Sequence, residues 1–368
     1  MNQTFRGSLI RGSLVAVLFF FLVACSGGQG GSAIPPDGDV DEPPPSGGAP
    51  SSAVLEAVKD RGTLRCGVNG GLPGFGLQNP DGTVQGFDAD LCRAVAASVL
   101  GDADAVSFRT LSAAERFDVL ADREVDIVSR NVSTWHGDSP SLRVAFGPTT
   151  FYDGSSVLAR ASLGINSFGA LSGRTLCYAT GSRIGREAID RLAARGINVQ
   201  TLTFPSTDEV WSALVAERCD GVVSDVTGLI SRSSLLERPE DYAIIPDLLE
   251  VEPLAPMVRD DDAGWLEVVT RTMYGLMSAE ALGVTSENVA SLAMGSADED
   301  VNRLLGATEN AMPQIGLPRD AMVHVIRGVG NYAEIFDRHL GANSSFEMQR
   351  GPNALAKDGG MLDPPPFR

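Results

Sequence analysis

The sequence predicts an α/β protein built as two lobes, each a mostly parallel sheet flanked by helices. Short β-rich runs alternate with amphipathic segments from residue 53 onward, which is the pattern of strand-helix-strand units. The series begins again near residue 174, and 368 residues suffice for two cores.

In the first series, 63–68 reads as a strand and a glycine-rich loop follows it. Asp88 then caps a helix to Leu100, with Gly101 as its stop. A second strand covers 105–110, Ser112-Ala-Ala-Glu115 is a capping box opening a helix to Ala121, and 125–129 is the third strand. In the second series the order is strand 175–179, helix 182–194, strand 199–204, capping box Ser206-Thr-Asp-Glu209 with a helix to Glu217, and strand 221–225. Asp225 stands at a strand carboxyl end, where open α/β sheets bind ligands. Two lobes imply a cleft, and 148–154 and 245–256, rich in interrupting residues, are the crossings between them. A long helix over 263–282 and further helical pieces to 336 precede an irregular tail.

Residues 1–24 carry Arg6, Arg11 and the apolar run Leu14 to Val23, the layout of a secretory signal and too short for a comfortable permanent span. Leu22-Val-Ala-Cys25 resembles a bacterial lipobox, which implies a lipid on Cys25; simple secretion with a chance cysteine is the alternative. Residues 25–52 are Gly/Pro/Ser-rich and too poor in apolar groups to order, so they read as a tether. Export permits disulfides. Of three connectivities, Cys66 with Cys92 and Cys177 with Cys219 is expected, each pair joining a strand to a nearby helix or helix end within one lobe.

Charge and motif content exclude several functions. A net charge of −18 opposes nucleic acid or an anionic lipid surface as main partner. His136, His324 and His339 are far apart and no Cys, Asp or Glu joins them at ligand spacing, so no metal and no cofactor is expected. The segment Asn69-Gly-Gly-Leu-Pro-Gly-Phe-Gly76 lacks a phosphate-loop lysine and dinucleotide spacing; Phe75 is offered there as an apolar wall to a ligand. No nucleophile motif occurs, and the chain is read as a binding protein, not an enzyme.

Six segments carry a resemblance that covers nearly everything from residue 54 to 368. They are Gly62-Thr-Leu-Arg-Cys-Gly-Val-Asn69, Gly86-Phe-Asp-Ala-Asp-Leu-Cys-Arg-Ala-Val-Ala96, Val125-Asp-Ile-Val-Ser-Arg-Asn131, Phe151-Tyr-Asp-Gly154, Arg218-Cys-Asp220 and Gly328-Val-Gly-Asn-Tyr-Ala-Glu-Ile-Phe336. Together they resemble the general L-amino-acid-binding proteins, of the polar amino-acid group of solute-binding proteins that serve ATP-binding cassette importers. The resemblance implies a periplasmic-binding-protein-like fold with two crossings: lobe 1 over 53–150 and 249–368, lobe 2 over 151–248. It also implies a monomer that closes on an amino acid or related zwitterion and docks on permease and ATPase subunits. Its location would be outside the cell membrane or in the periplasm, held by a lipid.

For the site, the resemblance implies that Asp225 takes the ligand's α-ammonium and that Asn131 and Ser133 belong to the carboxylate side. The family's usual arginine is missing: Asp138, in Ser133-Thr-Trp-His-Gly-Asp138, stands in its place. A substitute cation is sought in Arg183, which with Ser182 opens a helix whose N-terminus favours anions, or in Arg130 or Arg143. The alternatives are a sensor lipoprotein with an altered ligand, or a dehydratase or lyase on the same fold, for which Asp138 beside His136 and Trp135 would be the acid.

Overall fold

The structure, a computed structural model of the chain, describes residues 52–112, 115–134 and 142–367. The expected signal, Cys25 and most of the tether lie outside the described residues. Ser52 does not: its hydroxyl caps α1 (Ala53–Arg61) by accepting the Leu55 N–H and donates to Asp262, so the last residue of the expected tether is part of the fold.

In the first lobe β1 (Leu64–Val68) is followed by a small meander, β2 (Gly71–Leu72), β3 (Gly76–Gln78) and β4 (Val84–Gln85). Next comes α2 (Phe87–Leu100), which starts at Gly86, not at Asp88. Asp88 is instead buried, because its carboxylate is used to hold the loop after the third strand. β5 (Val106–Thr110) follows, and Ser112 and Glu115 make the reciprocal capping-box bonds. The regular helix, α3 (Asp118–Ala121), is nonetheless a single turn begun later. β6 (Ile127–Val128) is shorter than the five residues expected.

β7 (Val144–Phe146) leads to β8 (Phe151–Asp153) and β9 (Ser155–Arg160), and the second lobe then repeats the first. It contains β10 (Thr175–Ala179), α4 (Arg183–Ala194), β11 (Gln200–Phe204), α5 (Thr207–Val215), β12 (Gly221–Asp225), α6 (Val226–Ser233) and β13 (Tyr242–Ile244). Ser182 and Ser206 cap α4 and α5 as their sequence contexts predict. The chain returns through β14 (Glu252–Leu254) and β15 (Met257–Arg259). Then α7 (Ala263–Ala281), α8 (Val289–Leu292), α9 (Glu299–Leu304), α10 (Ala321–Val329) and α11 (Tyr332–His339) complete the helical layer.

Both lobes share one topology. The first sheet is ordered β5-β1-β6-β15-β7 and the second β11-β10-β12-β9-β13; in each, three parallel strands are extended by antiparallel returning strands. β8 and β14 form a separate antiparallel pair, Phe151 opposite Leu254 and Asp153 opposite Glu252. The main core lies under α2, α7, α10 and α11 around Trp265, whose indole N–H donates to the Asp126 carbonyl.

The two expected disulfides are present. Cys66–Cys92 ties β1 to α2, and Cys177–Cys219 ties β10 to the turn before β12, with Cα separations of 6.3 and 6.0 Å. Neither joins one lobe to the other, so neither restrains their relative motion. No helix among the described residues is long and apolar enough to cross a membrane.

Candidate functional site

Four strand-end loops and the β8/β14 pair define the candidate site. β1 runs out into Asn69, β6 into Ser129–Asn131, β10 into Thr180–Arg183, and β12 ends at Asp225. The residue after Val132, Ser133, bridges to Leu254 of β14, and the Ala255 N–H donates to the Val132 carbonyl. On the other lobe, the Val226 N–H donates to the Gly154 carbonyl, just past β8. The loop of Asn131 and Ser133 therefore abuts one end of the paired strands and Asp225 the other. At roughly 3.3 Å per residue those ends are about 7 Å apart, the scale of a small zwitterion.

Asp225 is the N-cap of α6 and is held on both oxygens. Its Oδ2 accepts the Gly228 N–H at 2.9 Å and lies 2.7 Å from the Thr227 hydroxyl; its Oδ1 accepts the Ser224 hydroxyl at 2.8 Å. The carboxylate is partly exposed and its orientation is fixed, which suits a charge-assisted bond to an ammonium. Beneath it lies Asp153, 3% exposed, whose carboxyl takes the Gly154 N–H at 2.8 Å and meets Thr227 Oγ1 at 2.8 Å. Burial, with the Asp225 charge adding to it, pushes Asp153 up to about 8.

On the first lobe Asn131 sits at φ 42°, a left-handed conformation that asparagine tolerates. Its N–H donates to Asp88 Oδ2 at 3.0 Å, and the Ser129 hydroxyl donates to Asp88 Oδ1 at 2.9 Å. Asp88 thus shapes the loop from below, and burial raises it to about 6. The Asn69 amide donates to Asn131 Oδ1 at 3.3 Å, bringing the β1 and β6 loops together. Arg130 is half-buried and its Nε donates to the Leu111 carbonyl; desolvation and then the like charge of Arg116 lower its pKa.

The remaining candidates divide. Ser182 accepts the Gly185 N–H as N-cap, and Arg183 at the first turn of α4 is exposed and paired with Glu187 at 2.6 Å. Arg143 pairs instead with Asp260 on exposed surface, at the end of the β7–β15 pair farthest from the Met257 contact with β6. Phe75 corrects the expectation of an apolar wall. It is 1% exposed and meets Phe87 and Phe151 edge to face, with ring centroids 6.2 and 5.1 Å away, so it presents no surface to a ligand. Trp135, His136 and Asp138 lie outside the described residues. Among the described residues no cluster of His, Cys, Asp or Glu is disposed to hold a metal ion.

The segment Phe151-Tyr-Asp-Gly154 gives no role to Asp153 in the sequence, because its partners Asp225 and Thr227 are distant in the chain. Nor does the sequence signal a cavity of about 720 Å³ between the second lobe and the C-terminal segment, lined by Ile230, Tyr242, Phe346, Met348 and Pro352. That cavity contains none of the candidate ligand residues.

This pairing of two like-wound lobes through two crossing strands, with polar strand-end loops beside the hinge, defines a hinged solute-binding protein. A family model described as bacterial extracellular solute-binding proteins, family 3, matches residues 64–288, and the chain belongs to that family. It is 37% identical to a general L-amino acid-binding periplasmic protein of Rhizobium johnstonii over 87% of this chain and 94% of that one. It is 36% identical to a glutamate/glutamine/aspartate/asparagine-binding protein of Rhodobacter capsulatus, over 87% and 95% respectively. Among solved structures, a periplasmic binding protein of an ABC transporter from Brucella ovis, with glutathione bound, superposes with a TM-score of 0.75 at 36% identity. That match covers 86% of this chain and all of the other.

Proposed function

We propose that this protein is the receptor of an amino-acid ATP-binding cassette importer, capturing an L-amino acid or a small molecule with an α-amino-acid head between its lobes. The observation that carries the reading is the fixed, partly exposed carboxylate of Asp225 beside the hinge, across from the polar loop of Asn131 and Ser133. Ligand contacts to both lobes favour the closed state, whereas contacts to one lobe leave the hinge unbiased. Asp225 takes the ammonium; Asn131 and Ser133 take the carboxylate, with Arg183 or Arg130 as the cation.

The amino acids for which these relatives are named support this class, and glutathione in the Brucella ovis protein carries the same α-amino-acid head on a larger body. Cys25 bears the lipid that tethers the receptor to the outer face of the membrane. Metabolic labelling with a radioactive fatty acid tests this point: label on the wild type, absent from Cys25→Ala, supports the anchor, and an unlabelled wild type refutes it.

The test of function is calorimetric titration with the L-amino acids and glutathione, against wild type and Asp225→Asn. Binding of at least one α-amino acid that Asp225→Asn weakens tenfold or more supports the reading. Binding that is indifferent to Asp225 overturns the assignment.

A further inference from the structure

We propose that Asp153 is a neutral acid seated under the ammonium site, that it holds Asp225 through the Thr227 hydroxyl, and that it gives up its proton to solvent when a cationic group docks on Asp225. This deepens the amino-acid reading and rests on it.

Hydrogen-bond accounting leads to this assignment. Thr227 Oγ1 is fully buried and stands 2.8 Å from Asp153 Oδ2 and 2.7 Å from Asp225 Oδ2. A hydroxyl has one hydrogen to donate. With both acids ionised, one of these short contacts would set two oxygens together with no hydrogen between them. One carboxyl must therefore bring a hydrogen. Asp225 is partly exposed and already accepts from Gly228 N–H and the Ser224 hydroxyl, so it stands as the acceptor of the pair. Asp153 is 3% exposed. Its Oδ1 accepts both backbone donors, Gly154 N–H at 2.8 Å and Thr227 N–H at 3.2 Å, which leaves Oδ2 as the protonated oxygen. The chain of donation then runs from Asp153 Oδ2 to Thr227 Oγ1 to Asp225 Oδ2.

The charged surroundings agree with a neutral Asp153. Asp225 faces it from α6, and Glu252 is its cross-strand partner on β14. Glu250, whose carbonyl crowds Gly154, directs its carboxylate to Arg191 and Ser155. Burial raises Asp153 further.

A ligand ammonium on Asp225 changes the balance. It cancels the negative charge that opposed ionisation of Asp153, and it replaces the hydrogen bond from Thr227 as the donor to Asp225. The proton on Asp153 Oδ2 leaves to solvent, the Thr227 hydroxyl turns its hydrogen to Asp153, and Asp225 Oδ2 moves off Thr227 Oγ1 towards the ammonium, so that no two oxygens stay in contact without a hydrogen between them. One proton leaves and one cation arrives, so the net charge of the buried group is unchanged. Asp153 ends β8, so the linkage sits in the hinge itself. It acts through Asp225 and is a positioning residue.

Two measurements on the full mature chain test this. In ligand-free protein with ¹³C-labelled aspartate carboxyls, the Asp153 signal, assigned by its loss in Asp153→Asn, should be that of a neutral acid at about pH 6.5. A signal of an ionised carboxylate there overturns the proposal whatever binds. In the second, L-glutamine is titrated calorimetrically in buffers of different ionisation enthalpy. Proton release on binding, and affinity that rises several-fold between about pH 6 and pH 8, are expected for the wild type. Asp153→Asn keeps both acceptor bonds through Oδ1 and donates through Nδ2 to Thr227, so it should fold and should abolish release and pH dependence together. The same proton release in Asp153→Asn overturns the coupling. If neither L-glutamine nor any other amino acid binds, the amino-acid reading fails, and the carboxyl titration alone decides the buried acid.

Discussion

Asn353 clasps the backbone of Tyr152 on both sides: its Oδ1 accepts the Tyr152 N–H at 2.6 Å and its Nδ2 donates to the Tyr152 carbonyl at 3.0 Å. Tyr152 is the middle residue of β8, and its other edge is paired to β14. A side-chain amide from the C-terminal segment thus serves as a third strand for the hinge. Arg350 anchors that segment by pairing with Glu280, donating to the Asn353 carbonyl and stacking over Tyr332 and Phe336.

Asn353→Ala leaves a backbone N–H and carbonyl of the hinge strand without their partner in a partly buried place. We expect a loss of about 2 to 3 kcal/mol, read as a lower urea midpoint with an unchanged slope. A midpoint equal to wild type would mean that the segment does not brace the hinge.

Gly228→Ala separates stability from binding. Alanine is the better helix former by about 1 kcal/mol, yet its Cβ would lie 2.9 Å from Asp225 Oδ1 and 3.0 Å from Oδ2. The carboxylate must shift. Affinity for an α-amino acid should fall tenfold or more by calorimetry while the melting temperature holds.

Arg183→Ala removes only an exposed pair with Glu187, which is worth little to folding. Melting temperature should stay near wild type and carboxylate-ligand affinity should fall by more than tenfold. Intact affinity would transfer the role to Arg130, the half-buried cation next to Asn131.

The buried acids set the pH dependence of folding. Asp88 at about 6 and Asp153 at about 8 lie above their unfolded value of 3.8, so the native state binds more protons between those limits. Stability therefore falls as pH rises from about 4 towards 8. Asp90, held near 2 against burial by His339 and Arg338, acts oppositely: its contribution is lost as pH falls below 3.8. Urea midpoints across this range should peak near pH 4 to 5, and the double variant Asp88→Asn/Asp153→Asn should flatten the alkaline limb.

What was legible in the sequence is what local chemistry decides. Ser182 and Ser206 make their capping bonds where a hydroxyl precedes a helix by the right spacing, and Ser112 and Glu115 make the reciprocal bonds although the helix after them starts later, at Asp118. The disulfides followed from strand-to-helix adjacency. Features set by chain-distant partners were misread. Asp88 resembles a helix cap until Ser129 and Asn131 are brought to it. Phe75 resembles a loop wall until Phe87 and Phe151 close over it. Asp153 carries no local signal at all, since both groups that define its state come from the start of α6.

The most direct test of the account is calorimetric titration of purified, ligand-stripped protein with L-glutamate and L-glutamine, wild type against Asp225→Asn. The account predicts saturable binding to the wild type with one site per chain, weakened at least tenfold by the substitution while the urea midpoint of the variant remains cooperative. Equal affinity in the two proteins would contradict the central claim that Asp225 holds the ligand's ammonium.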